Sequence, residues 1–590
     1  MSSFLSDLTI SCASWQAFER LIARLLFERS FTYVAVVGES GDGGADVLAV
    51  HTSGKRWLLQ VKRLAAPVGP IVLDRTIAAA HSYGADILVI VSKSGFTADL
   101  RQRASRLLAQ GINAQLWDRQ TLAQAAATLP SEPLVVREPG RFKAREYQED
   151  AVQKIVNEWV STSYGSALVV LATGLGKTFV AGESVRRIMQ NRGSLKVLVL
   201  AHTNDLIYQL ERSFWPFIGA DRSTVIVNGS ERPEWTNLRH FDVVVATRDT
   251  IASAIQANVT LPEFDIVIVD ECHHLGAMTY EVILDALNVG IVGGPFLMGL
   301  TATPWRPGGE GLDHRFGPPV VSVDMVNGLK KGFLANVDYR MYTDNIDWDA
   351  LRALEGDRFT PKAINRTLFI NQWDDAVVEQ VQKAWAEIGP GAKGIVFCGT
   401  VAHAERMAAG INALGFTRAM PIYSRGSDGK VMTPVERNRL LWDFADGKVG
   451  ILCAVDVLNE GVDVPNVNLV VFQRVTHSRR IFVQQLGRGL RLAPGKHTVL
   501  VLDFVSDVRR FAAGLELQKS LDEDGPAPGN QVRLSLGSKV TFRHANSEDT
   551  EGASFLREWL GDLEEIELAG DDVSLLRYPP ARLLQTDVRR

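Results

Sequence analysis

Cysteine is scarce. There are four in 590 residues, Cys12, Cys272, Cys398 and Cys453. They lie too far apart along the chain for a zinc-ligand spacing or a disulfide framework, so a metal-stapled or oxidised secreted scaffold is not expected and a reducing cytoplasm fits. Long apolar runs are also missing: none approaches the ~18 residues of a membrane span, so no membrane partner is expected. The opening MSSFLSDLTISCASW has no basic flank before its apolar positions, which argues against a signal peptide. A strong excess of one charge is absent too, the formal net charge being -5. Any nucleic-acid partner must therefore meet a local basic surface. What remains is 46% hydrophobic and 22% charged residues, a composition suited to globular domains. The length suggests roughly three to four of them.

The expected fold class is α/β throughout. Residues 1–128 show a helical stretch, WQAFERLIARLLF, then extended runs at 32–37, 46–51 and 57–62, a helix at 71–83, the apolar run ADILVIVS, a helix at 97–109, NAQLWD and a last helix. Residues 129–142, rich in proline, read as a linker. From 143 to 320 the apolar strands ALVVLA, KVLVLA, DVVVAT, DIVIVD and FLMGLT alternate with helical stretches, the pattern of a doubly wound parallel sheet. After an interdomain segment at 321–365, a second such series, GIVFCG, VGILCAV, NLVVFQ and VLVLDF, spans 366–510. Residues 511–590 form an acidic extension with no motif, open as a solvated face, a DNA mimic or a partner site.

Two patterns carry nucleotide chemistry. In the loop after ALVVLA, Thr173, Gly174, Leu175 and Gly176 provide backbone N–H groups for phosphate, Lys177 charge for the β/γ-phosphates and Thr178 a hydroxyl for Mg²⁺. Leu171 stands where the usual first glycine would be. At the end of DIVIVD, Asp270 is placed to hold Mg²⁺ and Glu271 to activate the attacking water. A zinc site from Cys272, His273 and His274 is disfavoured, because three adjacent residues cannot converge on one ion.

In this setting the chain resembles the superfamily 2 helicases and translocases, of the branch containing the DEAD/DEAH-type and type III restriction-like motors. The resemblance runs over about 145–505, in the family's order: ARE-Tyr147-Gln148, LATGLGKT, LAHTNDLIYQ, ATRDTI, DECHH, GLTATPWR, GIVFCGTVAHAE, VDVLNEGVDVP and QQLGRGLR. It implies two tandem RecA-like domains. It also implies adenine recognition by Tyr147 and Gln148, completion of the ATP site by Gly461 and Asp463, and coupling of hydrolysis to domain closure by Thr301 and Thr303. Arg488 and Arg491, three apart on an expected helix, become arginine fingers. Thr203, Thr247 and Thr400 are candidates for sequence-independent strand contact.

The unit in front has its own constellation. Gln60 and Lys62 are two apart on an expected strand and share a face. The turn HTSGKR makes a hairpin with the preceding strand, so Asp46 at its start can meet Lys62. A carboxylate suits a hard cation such as Mg²⁺, with Asp46 and Gln60 as ligands, Glu19 as a second carboxylate, and Lys62 orienting or activating a water. The series FERLIARLLFE, GDGGAD, LLQVKR, HSYGADILVIVSKSGFT and AQLWDRQTL resembles the Mrr-like branch of the restriction endonuclease fold over about 14–126. That implies a metal-dependent nuclease site at Glu19, Asp46, Gln60 and Lys62, with Gln60 in place of an acid. A relic that only binds DNA stays open. Trp57 is expected in the core or an interface rather than as a base-stacking platform, and Arg101, Arg103 and Arg106 form either a solvated or a DNA-facing stripe.

Together these resemblances imply an ATP-dependent DNA helicase or translocase fused to an endonuclease, in restriction or anti-phage defence, with partner subunits supplying specificity. The alternative is a DNA repair helicase whose N-terminal domain only binds DNA. An RNA helicase fares worst, given the restriction-endonuclease-like domain.

Overall fold

The computed structural model describes residues 4–29, 31–37, 44–161, 165–172, 174–272, 275, 278–291, 293–302, 312–323, 331, 333, 335–341, 371–423, 432–455, 467–473, 498–504 and 532–536. Three sheets organise them. The first is five-stranded, in sequential order: β1 (Phe31–Val36), β2 (Val47–His51), β3 (Arg56–Lys62), β4 (Ile87–Ser92) and β5 (Asn113–Trp117). β1–β3 form an antiparallel meander, and β4 and β5 continue parallel to β3. The tight turn between β2 and β3 closes with His51 donating to Lys55 and with Gly54 at φ 80°, a left-handed conformation that favours glycine. One face of this sheet buries Val47, Leu59, Val61 and Val89 under the helix Trp15–Phe27. The other buries Leu88 and Ile90 beside Leu73 of the helix Ile71–Tyr83 and Leu100 of the helix Ala98–Ala109. Ser14 and Thr97 cap two of these helices, accepting from the N–H groups of Ala17 (3.0 Å) and Leu100 (3.3 Å).

The second sheet has seven parallel strands, ordered β12-β6-β11-β10-β7-β9-β8. These are β6 (Ser166–Leu171), β7 (Val197–Ala201), β8 (Thr224–Val227), β9 (Val243–Thr247), β10 (Ile266–Asp270), β11 (Phe296–Thr301) and β12 (Val321–Val323). Their near-continuous Val, Leu and Ile content reflects burial on both faces. The third sheet, also parallel, is ordered β15-β16-β14-β17-β18-β13-β19. It comprises β13 (Asn336–Met341), β14 (Gly394–Cys398), β15 (Ala419–Tyr423), β16 (Ile451–Val455), β17 (Leu469–Gln473), β18 (Thr498–Asp503) and β19 (Val532–Leu536). The first two sheets belong to one compact unit and the third to another.

Several segments depart from the sequence expectations. The segment 321–365, expected between domains, supplies β12 to the second sheet and β13 to the third. The extension 511–590 supplies β19, which pairs with β13 through Val337↔Val532. β12 and β19 lie at sheet edges and β13 between β18 and β19; each is paired by strands far along the chain, and nothing local separates them from loops. The linker 129–142 contains the helix Leu134–Arg137, whose Leu134 and Val135 are buried and whose Arg137 pairs with Glu28. It is a packed connection, held by both apolar and ionic contacts.

Candidate active sites

The first site lies where β2 and β3 begin and end. Asp46 precedes β2, and its N–H donates to the carbonyl of Leu59 (3.0 Å). Asp46 Oδ2 accepts from the Val61 N–H at 2.5 Å and lies 3.5 Å from Lys62 Nζ. From the helix Trp15–Phe27, Glu19 hydrogen-bonds the same carboxyl. Burial pushes the Asp46 carboxyl above its ordinary value, while Lys62, the Val61 N–H and Glu19 oppose that rise. Asp46, Glu19 and Lys62 thus come together. Gln60 is buried on the neighbouring strand position, but its carbonyl oxygen accepts from the Thr76 hydroxyl at 2.5 Å. Its amide nitrogen packs so close to Gly44 that a Cβ there would sit 2.9 Å away. Gly44 itself has φ 93°, so both backbone and space favour glycine.

The donor set suits a hard divalent cation. Two buried carboxyls side by side repel when both are charged, Lys62 offsets only part of that charge, and a cation between them would offset the rest. Glu19 and Asp46 would hold it. Gln60 could join through the second lone pair of its oxygen, whose first faces the Thr76 hydroxyl, which also lies 2.8 Å from the Val72 carbonyl. Among the described residues there is no cluster of three or more His, Cys, Asp or Glu, so any such site leans on amide or backbone oxygen. Thr76 was not legible as a site residue. Its only signal is its place on the inward face of Ile71–Tyr83, and it is fully buried there.

The second site is built on β6 and β10. The loop after β6 has Gly174 at φ 88° and Gly176 at φ 86°, and the helix Lys177–Arg192 starts immediately after. That arrangement turns backbone N–H groups and a helix N-terminus to one place. Lys177 Nζ lies 3.4 Å from Glu271 Oε1, and Thr178 is half-buried in the first helical turn. Glu271 has φ 49°, a strained conformation for a residue with a side chain. Asp270 is buried, and desolvation followed by repulsion from Glu271 raises its carboxyl to about 7, against the pull of Lys177. Gln148 accepts from the Arg145 N–H (2.9 Å), and its amide nitrogen lies 2.5 Å from where a Gly176 Cβ would sit. The glutamine is thus packed against the phosphate loop, and Tyr147 bonds Arg145 at 3.2 Å.

A pH prediction follows from Asp270. Its folded carboxyl titrates above the ordinary 3.8, so its contribution to stability is complete below about pH 4 and lost as pH rises through about 7. The full displacement corresponds to at most about 4 kcal/mol. In nucleotide-free buffer with EDTA, Asp270→Asn should raise the melting temperature at pH 8 and leave it near wild type at pH 4. Equal shifts at both pH values would refute this.

Several other expected residues have structural partners. Thr203 and Thr400 cap helices, accepting from the N–H of Leu206 (3.4 Å) and His403 (3.2 Å). Thr247 meets the Thr250 hydroxyl at 2.8 Å. Thr301 is fully buried at the end of β11. Trp57 packs edge-on to Phe31 within the first core. Arg101 and Arg103 pair with Asp118 and Asp74, while Arg106 lies exposed. Thr173, Thr303, Gly461, Asp463, Arg488 and Arg491 lie outside the described residues.

Three family models match in chain order. "Restriction endonuclease" matches residues 10–126, "Type III restriction enzyme, res subunit" residues 141–306, and "Helicase conserved C-terminal domain" residues 376–493. The chain carries an Mrr-like restriction endonuclease domain ahead of a superfamily 2 helicase core. It is 27% identical to the type I restriction enzyme EcoAI endonuclease subunit of Escherichia coli, over 68% of this chain and 51% of that one. It is 25% identical to the DNA 3'-5' translocase XPB2 of Sulfurisphaera tokodaii, over 60% and 79%. Among solved structures, the ATP-dependent Type ISP restriction-modification enzyme LlaBIII bound to DNA aligns with a TM-score of 0.50 at 15% identity, over 94% of this chain and 41% of that one. The chain spans between half and three-fifths of its first two curated relatives. The Mrr-like domain thus contains the Asp46 site, and the helicase core the Lys177 site. Among the described residues no helix is long and apolar enough to cross a membrane.

Proposed function

We propose that this chain is an ATP-driven DNA translocase whose Mrr-like domain cuts the phosphodiester backbone with Mg²⁺, as part of a restriction or anti-phage system with partner subunits. The observation that carries the nuclease reading is the meeting of Asp46, Glu19 and Lys62 at one strand end. When bound there, Mg²⁺ would supply Lewis acidity toward the scissile phosphate. Lys62, beside the carboxylates, would orient the attacking water and offset charge developing on phosphate. The water oxygen bonds to phosphorus and gives up a proton to solvent, the bridging P–O bond breaks, and the departing sugar oxygen takes up a proton from solvent. Binding to DNA is supported by a basic cluster next to this site. Arg63 follows β3 and Lys93 follows β4 at the same end, where the Lys93 backbone N–H donates to the Lys62 carbonyl at 3.2 Å; Arg119 beside them is paired with Asp7.

In the helicase core, Lys177 and Thr178 would hold ATP phosphates and Mg²⁺, Asp270 would hold the same ion through water, and Glu271 would orient the hydrolytic water. Gly461, Asp463, Arg488 and Arg491 are proposed to complete that site. Localisation in the cytoplasm is proposed on the resemblance to DNA-acting enzymes. One observation favours a second reading, a domain that binds DNA without cutting it: Gln60 stands in place of an acid, and its neutral amide oxygen, already accepting from the Thr76 hydroxyl, would hold a cation only weakly. Incubating the chain with Mg²⁺, with and without ATP, on plasmid, forked, modified and phage DNA separates the two. Cutting of any of these supports the nuclease. Intact DNA throughout, with ATPase stimulated by DNA, supports the second reading.

A further inference from the structure

The helix that carries Glu19 is held from its other side by the helicase core. Adjacent helical residues point about 100° apart, so while Glu19 meets Asp46, Arg20 leaves in another direction. There it enters the domain of the second sheet. Its two terminal nitrogens fork onto Glu231, Nη1 to Oε1 at 2.6 Å and Nη2 to Oε2 at 3.0 Å, and its Nε lies 2.6 Å from Glu211 Oε2. All three side chains are buried. Glu231 also accepts from Ser14 and from the Tyr208 hydroxyl, each at 3.0 Å, and Glu211 accepts from Thr224 at 2.6 Å. Burial alone would lower the Arg20 pKa, but the two carboxylates outweigh it and raise it. One turn on, Arg24 donates to the carbonyls of Arg222 and Gly219, both at 2.9 Å.

Glu211 and Tyr208 lie on the helix Asn204–Phe214, in the segment that follows β7 of the ATP-binding domain. A buried ionic fork is a weak source of stability, because desolvation offsets much of its attraction. It is a strong selector of geometry, because a planar bidentate pair accepts one rotation and one register. The apolar face of the helix fixes it against the first sheet, and this fork fixes it against the second sheet's domain.

We propose that Arg20 is a positioning residue of the nuclease centre: its tie to Glu211 and Glu231 makes the first helicase domain set where Glu19 stands against Asp46. The proposal rests on the nuclease reading above. Its test uses the full chain with Arg20→Met, and with Glu231→Gln as the milder variant. Plasmid cleavage, DNA-stimulated ATPase and Ca²⁺ uptake by calorimetry are measured, taking the part of that uptake removed by Asp46→Ala. For Arg20→Met the expected result is cleavage about tenfold slower, a several-fold higher half-saturating Mg²⁺ concentration, the same weakening in Ca²⁺ uptake, and ATPase within about twofold of wild type. Glu231→Gln should show the same pattern, less strongly. Wild-type cleavage and metal dependence in Arg20→Met would overturn the proposal. So would parallel losses of cleavage and ATPase with unchanged metal affinity in both variants, which is how a merely structural tie would behave. Failure of the wild type to cut, or cutting by Asp46→Ala, is a separate outcome that removes the nuclease reading and this proposal with it.

Discussion

Replacing Lys177 by alanine is expected to abolish DNA-stimulated ATP hydrolysis, by about a thousandfold or to background. Lys177 is the first residue of the helix after the phosphate loop, where Gly174 and Gly176 take left-handed conformations that present the backbone to an anion. Its ammonium lies beside Glu271, at the mouth of β10 where Asp270 is also held. Without that charge, the γ-phosphate would meet two carboxylates with the Lys177 ammonium no longer beside them to offset their charge. The fold should survive. Lys177 is only half-buried, its ion contact is 3.4 Å long, and alanine is a better helix former. Phosphate release on DNA, with a melting curve as control, checks this. Hydrolysis that persists in a folded Lys177→Ala protein would show that the phosphate loop is wrongly placed.

Asp46→Asn is expected to remove DNA cleavage by about a thousandfold while leaving ATPase near wild type. Asparagine keeps an acceptor for the buried Val61 N–H, which Asp46 now takes at 2.5 Å. It loses the charge that Glu19 and Lys62 converge on. Alanine would do the same to catalysis, but would also orphan that N–H at about 1–3 kcal/mol. Because burial raises the Asp46 pKa, the neutral side chain should not weaken the fold. Cleavage gels and ATPase assays on one preparation test both halves. A folded Asp46→Asn protein that still cuts would move the catalytic centre elsewhere.

Much of this protein is written locally. The strands of the three sheets' interiors are short apolar runs because they are buried on both faces, and that need shows in any window of six residues. The pairing of Asp46 with Lys62 also follows from local rules, since a hairpin and a period of two bring them to one end. The loop Gly174–Lys177 carries its conformation in its glycines. Edge strands such as Val321–Val323 and Val532–Leu536 are decided by a partner far along the chain, and their own residues do not announce it.

The same distinction divides the candidate nuclease site. That Glu19 is helical is plain from the spacing of Phe18, Leu21, Ile22 and Leu25. That its neighbour Arg20 faces Glu211 and Glu231, some two hundred residues away, is not. Nor does the sequence say that Thr76 takes the Gln60 oxygen. Periodicity tells which residues turn inward. For a buried charge or amide, the partner that satisfies it is chosen only when two elements pack, because its cost and its compensation arise together in that contact.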